Sequence, residues 1–199
     1  MTTVGTLGDD ERNLMDLLLP LWLPILLSTF AIWIISIIAA TALPHHKNDF
    51  IALPDEDGFA DDLRKRGIKP GNYLFPDFRG REAMNAPKVQ KALNEGPVGH
   101  LIVWKTPLTM ADKMIGTFIV YFVATTLIAY LTRVAIPGPA EFTKVFQFVT
   151  IAGVLAYCFS FLPAAIWWGS YRRTMIANII DGIVYGAITG AIFAWRWPH

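Results

Sequence analysis

Cysteine occurs once in the 199 residues, at Cys158. A single thiol excludes an internal disulfide and any metal site or cluster built from several cysteines. Charge is scarce too. Asp, Glu, Lys and Arg make up 17 % of the chain, against about 25 % in an ordinary soluble domain. With 54 % hydrophobic residues and a mean hydropathy of +0.42, this composition is that of a membrane protein. Neither sign of charge dominates: the formal net charge is +1, which gives no general attraction to nucleic acid. There is no GxSxG, Walker A, GxGxxG or paired-cysteine pattern, so the common catalytic frameworks have no representative here.

What is present is four long apolar runs, at residues 17–43, 114–136, 145–168 and 174–195. Each is long enough to cross about 30 Å of hydrocarbon at 1.5 Å per residue. Backbone groups in lipid must pair within the segment, so the runs read as helices. Only Arg133 and Asp181 interrupt them with charge. The expected fold is an all-α membrane protein of four transmembrane helices, with an N-terminal tail at 1–16 and a small α+β extramembrane segment at 44–113. Residues 14–19 are expected to lie in the interface, with the first span starting near Pro20, where a helix tolerates proline. Ala40-Thr41-Ala42 resembles a signal-peptide cleavage site, but Asp9, Asp10 and Glu11 stand where a basic region belongs, which favours an uncleaved span.

Residues 44–113 hold eleven basic and ten acidic residues. Local signals give this segment structure. Asp55 is placed to cap a helix over 56–66, with Gly67 as its stop. Residues 72–75 and 100–105 are strand candidates, and Pro87 opens a second helix over 87–94, closed by Gly96-Pro97. The balanced charge reads as a solvated surface rather than a site for anionic lipid. The Arg172–Arg173 pair in the short third loop favours the cytoplasm. That puts the 44–113 loop in the cytoplasm and both termini in the periplasm.

Three sets of residues stand out in the spans. Asp181 lies roughly 10 Å into the fourth span at helical rise, and an ionisable group at that depth faces the bundle interior or a cavity. Asn178, Asp181, Tyr185 and Thr189 share its face. Thr117, Tyr121 and Thr125 in the second span, and Gln147, Thr150 and Tyr157 in the third, are expected to join them in a buried polar network. Gly182, Gly186 and Gly190 form a close-packing stripe. Trp167, Trp168, Trp195 and Trp197 are expected to be interfacial anchors, joined by Tyr171, Trp104 and Trp22.

The four histidines all lie outside the apolar runs, without HExxH or HxxxH spacing. The neighbours His45 and His46 would point in different directions on a helix. No metal or cofactor is therefore expected. Cys158 is expected to be an inert apolar group.

HHKNDFIALPDEDGF, PGNYLFPDF, GPVGHLIVW and the closing DGIVYGAITGAIFAWRWP resemble a family of bacterial four-span inner-membrane proteins, hypothetical proteins with one long first loop. The resemblance covers nearly the whole chain. It implies the architecture and a bacterial inner membrane, and brings no established reaction or site residues. The expected function is that of a non-catalytic accessory or assembly subunit of a larger respiratory or photosynthetic complex, with the lipid bilayer and other integral membrane subunits as partners and no nucleic acid. The alternative is a small transporter or ion-coupled protein using Asp181. A third reading is a lipid-modifying enzyme using His45 and His46.

Overall fold

The computed structural model describes residues 14–198. The acidic tail residues Asp9, Asp10 and Glu11, with Arg12 and the terminal His199, lie outside the described residues. In chain order the described elements are α1 (Leu14–Leu18), a 3-10 turn (Leu19–Leu21), α2 (Trp22–Ala42), a second 3-10 turn (Pro44–His46), α3 (Glu56–Lys65), β1 (Gly71–Phe75), α4 (Arg81–Asn85), α5 (Pro87–Glu95), β2 (Gly99–Val103), α6 (Met110–Ala135), α7 (Phe142–Val154), a π turn (Leu155–Phe159), α8 (Leu162–Trp167) and α9 (Arg172–Trp195). They fall into two compact units: residues up to Phe50 with those from Ala111 onward, and Ile51–Met110.

The first unit is the bundle. Four helical stretches are long and apolar enough to span a bilayer: Leu19–Ala42, Met110–Ala135, Phe142–Trp167 and Arg172–Trp195. They overlap the four apolar runs, with starts that differ by two to four residues, most at α6, which begins four residues before its run. The second and third spans are only 17 % buried within their most apolar windows, which leaves most of their surface to lipid. The chain is thus a multi-pass membrane protein with four candidate spans.

The bundle is held together through α9. An added Cβ on Gly186 would lie 3.0 Å from the Thr150 carbonyl oxygen and 3.0 Å from the Val154 nitrogen, and one on Gly153 would lie 2.7 Å from the Gly186 Cα. Gly182 meets Cys158 and the Tyr157 backbone, and Gly190 meets Thr150 and Phe146. Lipid tails are as apolar as leucine, so helices in a bilayer associate by close packing, which small residues permit. The glycine stripe is used inside the chain, against the third span. Where α2 meets α6, Phe30 and Trp33 pack on Phe118 with ring centroids 5.0 and 5.7 Å apart.

The two ends of the bundle differ. At one end an apolar core gathers Leu21 and Ile25 of the first span, Ile128, Ala129 and Ile136, Val145 and Val149 of α7, and Phe193 and Ala194 of α9. Trp197 belongs to this core. It is 2 % exposed, its Nε1 donates to the Gly138 carbonyl at 3.1 Å, and the Arg133 guanidinium lies over its ring at 6.0 Å. This corrects the expectation that Trp197 is an interfacial anchor: α9 ends at Trp195, and the chain after Arg196 carries the indole inward. Trp167, Trp168 and Trp195 are exposed.

The third span is not a continuous α-helix. Pro163 has no N–H and crowds the carbonyl four residues back, at Phe159. The helix widens there into the π turn and resumes as α8, with Pro163 in its first turn. Such widenings recur at functional sites.

The second unit matches its local signals. The Asp55 carboxylate accepts from Gly58 N at 2.9 Å to cap α3, and Gly67 follows at φ +64°, a left-handed conformation that glycine adopts freely. Strands β1 and β2 pair antiparallel, Gly71 opposite Val103 and Phe75 opposite Gly99. The Phe75 ring occupies the space a Gly99 side chain would need. Helix α4 carries no strong sequence signal and was not expected.

Candidate functional site

The end of the bundle opposite the apolar core is polar. A cavity of about 480 Å³ lies there, lined by residues of all four spans and the turn after α2: Ser36, Tyr121, Tyr157, Ser160, Asn178, Asp181, Tyr185 and His46 supply its polar side chains, and alanines with Val120 and Phe161 the apolar wall. The three tyrosine rings stand edge to face around it, with centroids 6.1 to 6.4 Å apart. The π turn is what presents Tyr157 to this space.

Asp181 and two histidines form the head of the cavity. Helix α2 ends at Ala42, because the residue before a proline is pushed out of helical conformation: Leu43 is extended, at φ −86° and ψ 142°. The 3-10 turn Pro44–His46 then folds back over α9. Its two rings sit 4.3 Å apart and both present Nε2 to one carboxylate. His45 Nε2 donates to Asp181 Oδ1 at 2.9 Å and His46 Nε2 to Asp181 Oδ2 at 2.7 Å. The Tyr185 hydroxyl approaches Asp181 Oδ2 at 3.5 Å.

The other His46 nitrogen is also engaged. Nδ1 donates to Asp49 Oδ2 at 2.6 Å, and Asp49 Oδ1 accepts from the Thr174 hydroxyl at 3.1 Å. The His46, Asp49 and Asp181 side chains are 9 to 13 % exposed, and His45 is 29 % exposed. With a carboxylate at each nitrogen, His46 needs both protons to donate twice. Burial by itself lowers the His46 pKa, but its hydrogen bonds to Asp49 and Asp181 and their negative charges outweigh burial and hold it above the ordinary histidine value. The hydrogen bond from His46 holds the Asp49 carboxyl below the usual carboxylate range against the effect of burial. The Thr174 hydroxyl and the charges of His46 and Arg173 act in the same direction.

The network differs in membership from the one expected. Tyr121, Tyr157, Tyr185 and Asp181 do meet at the cavity, and Thr125 and Tyr157 hydroxyls lie 3.3 Å apart. Asn178 lines the cavity but donates to the Thr174 carbonyl at 2.9 Å. Thr189 donates to the Tyr185 carbonyl of its own helix and also partners the Tyr157 hydroxyl, as expected of the network. Thr117 and Gln147 are exposed and take no part. Cys158 is buried, packs against Gly182 and donates to the Ile179 carbonyl at 3.4 Å.

The meeting of His45, His46 and Asp49 with Asp181 was not read from the sequence. The signal that carried it is Pro44: it ends α2, so the two histidines need not obey helical directions. No protein family, curated protein or solved structure matches the chain, so the geometry itself carries the functional argument.

Proposed function

We propose that this chain is a cation-handling protein of the bacterial inner membrane, a small transporter or ion-coupled protein whose binding point is Asp181. One observation carries the reading. An acidic group inside a span, costly unless it serves a purpose, stands at the head of a cavity of mixed polar and apolar lining and is sheltered by two imidazoles. The apolar core fills the far end of the same bundle, so the cavity has access from one side. By the Arg172–Arg173 pair that side is the cytoplasm.

The features that suggested an accessory subunit weigh less in this setting. The Gly182, Gly186 and Gly190 stripe packs on the chain's own third span, and Trp197 is a core residue. Neither asks for a second protein. No catalytic step is assigned to the site.

The test is uptake into proteoliposomes. The purified chain is reconstituted with an entrapped cation-sensitive dye, and Na⁺, K⁺, Mg²⁺ and Zn²⁺ are offered in turn. One of them is expected to enter faster than in protein-free liposomes, and Asp181→Asn to remove the difference. If no cation gains on protein-free liposomes, or if Asp181→Asn carries as well as the native chain, the proposal fails.

A further inference from the structure

The histidine pair and its two carboxylates have the parts of a metal centre. One ring nitrogen of His45, one of His46 and an Asp181 carboxylate oxygen lie within 4.8 Å of one another, and each Nε2 already touches an Asp181 oxygen. A tetrahedral zinc ion, with bonds of about 2.0–2.2 Å to nitrogen and oxygen, holds its donor atoms roughly 3.4 Å apart. The present contacts of 2.9 and 2.7 Å to the two Asp181 oxygens are shorter than that spacing, so the histidines must draw back from the carboxylate by about 0.5–0.7 Å to admit the ion.

We propose that His45, His46 and Asp181 bind one borderline divalent transition-metal cation of the Zn²⁺ class, with Asp49 as a positioning residue. The inference rests on the cation-handling reading and names its cation. Three arguments carry it.

The first is the direction of the donors. Both histidines aim the same nitrogen, Nε2, at one carboxylate, His45 at Oδ1 and His46 at Oδ2, although they are sequence neighbours. Two imidazoles and a carboxylate suit zinc and its neighbours, while magnesium and calcium prefer all-oxygen sites.

The second is the support behind the donors. Ligating histidines usually give their far ring nitrogen to a carboxylate, which fixes the tautomer and the ring plane. His46 does this through Nδ1 to Asp49, and Asp49 is itself fixed by Thr174 of α9. A hydrogen-bonded surface histidine has no need of this second layer.

The third is charge and access. Asp49 and Asp181 are two carboxylates in a site mostly closed to solvent, and together they balance a divalent ion. The metal takes the place of the Nε2 protons: the one on doubly protonated His46 leaves to solvent, and His45 binds as the neutral ring with its proton on Nδ1. His46 and Asp181 also line the cavity, so a fourth position faces that space, as it does where zinc keeps an exchangeable ligand.

The test uses the full chain in mild detergent, purified with a tag free of histidine and stripped of metal by a chelator. Zn²⁺ is titrated against a competing fluorescent chelator, and Co²⁺ is added separately to read its visible spectrum. One Zn²⁺ per chain is expected, with the intense absorption of four-coordinate Co²⁺ and no sulfur-to-metal band. Affinity should fall more than 100-fold in His46→Ala and Asp181→Asn. In Asp49→Asn it should fall 10- to 100-fold, with the Co²⁺ spectrum broadened rather than lost. His100→Ala, in the second unit, should match the native chain.

Less than a tenth of an equivalent of Zn²⁺, a six-coordinate Co²⁺ spectrum in the native chain, or equal binding by the His45→Ala/His46→Ala double variant overturns the site. The native Co²⁺ spectrum decides the matter even where a variant fails to fold. The two proposals fail separately. Stoichiometric zinc without uptake of any cation leaves the metal site and removes transport. Asp181-dependent uptake of Na⁺ or K⁺ without zinc binding removes the metal site alone.

Discussion

At the scale of single residues, an ionisable group's behaviour follows from what its atoms touch. Outside the spans this is simplest to check at Asp77. Arg79 donates to it from its backbone nitrogen, Nε and Nη2, and the side-chain hydrogen bond is the larger cause that lowers the Asp77 pKa to about 2. A depressed carboxylate pKa means that the pairing is present above the unfolded value and is lost as pH falls through the folded one. NMR titration of the Asp77 carboxyl carbon should show it still ionised near pH 3. Arg79→Ala should raise the midpoint toward the ordinary aspartate range, short of a full return because the backbone N–H of residue 79 still donates. An unshifted midpoint in the native chain would show that the exposed fork does not persist in solution. The pair is open to water, so no measurable change in overall stability is expected from breaking it.

Residue-level legibility in the sequence was uneven, for a physical reason. Asp181 is conspicuous because charge in an apolar run is costly, and the tyrosines could be grouped with it by helical spacing. His45 and His46 could not be joined to it that way. Their contact with Asp181 spans more than 130 positions and depends on a 3-10 turn folding back after Pro44. Periodicity carries no information about such a turn.

At the scale of elements, the α7–α9 contact predicts a sharp contrast among glycines. Gly153 and Gly186 face each other's backbone, where nothing can rotate away. Gly186→Leu, or Gly153→Ala more gently, forces the helices apart. Overpacking of this kind costs about 1–3 kcal/mol, and more for the larger side chain. Gly116 on α6 has open space where its Cβ would be, so Gly116→Ala should leave stability unchanged or raise it by up to about 1 kcal/mol through helix propensity. Thermal unfolding of the three variants in one detergent checks this. Equal loss in all three would mean that close packing is not what holds α9. The glycine stripe was readable because its period is helical, and so were the Asp55 cap and both strands of the second unit. The π turn was not read, since the 145–168 run is apolar throughout. Only Pro163 marks the break.

At the scale of the whole molecule, the bundle is polar at one end and apolar at the other, which makes its orientation a functional question. The ends of the four spans alternate, so the loop between α6 and α7 lies at the apolar end and residues 169–171 lie at the cavity end. Single cysteines placed in a Cys158→Ala background can read which end faces which compartment. Cys158 is buried, with its thiol on the Ile179 carbonyl and against Gly182, so its replacement by the smaller alanine adds no clash at that contact and should be tolerated. A cysteine at Pro139, exposed between α6 and α7, should react with a membrane-impermeant maleimide in intact cells. A cysteine at Ser170, exposed before α9, should react only after the membrane is opened. That outcome places the His45–His46–Asp181 site within reach of cytoplasmic cations and makes the Trp197 core the barrier to the other side. The reverse labelling pattern would turn the cavity toward the periplasm. The same three side chains would then meet cations before entry rather than before export, because the apolar core closes the bundle on whichever side the cavity does not open.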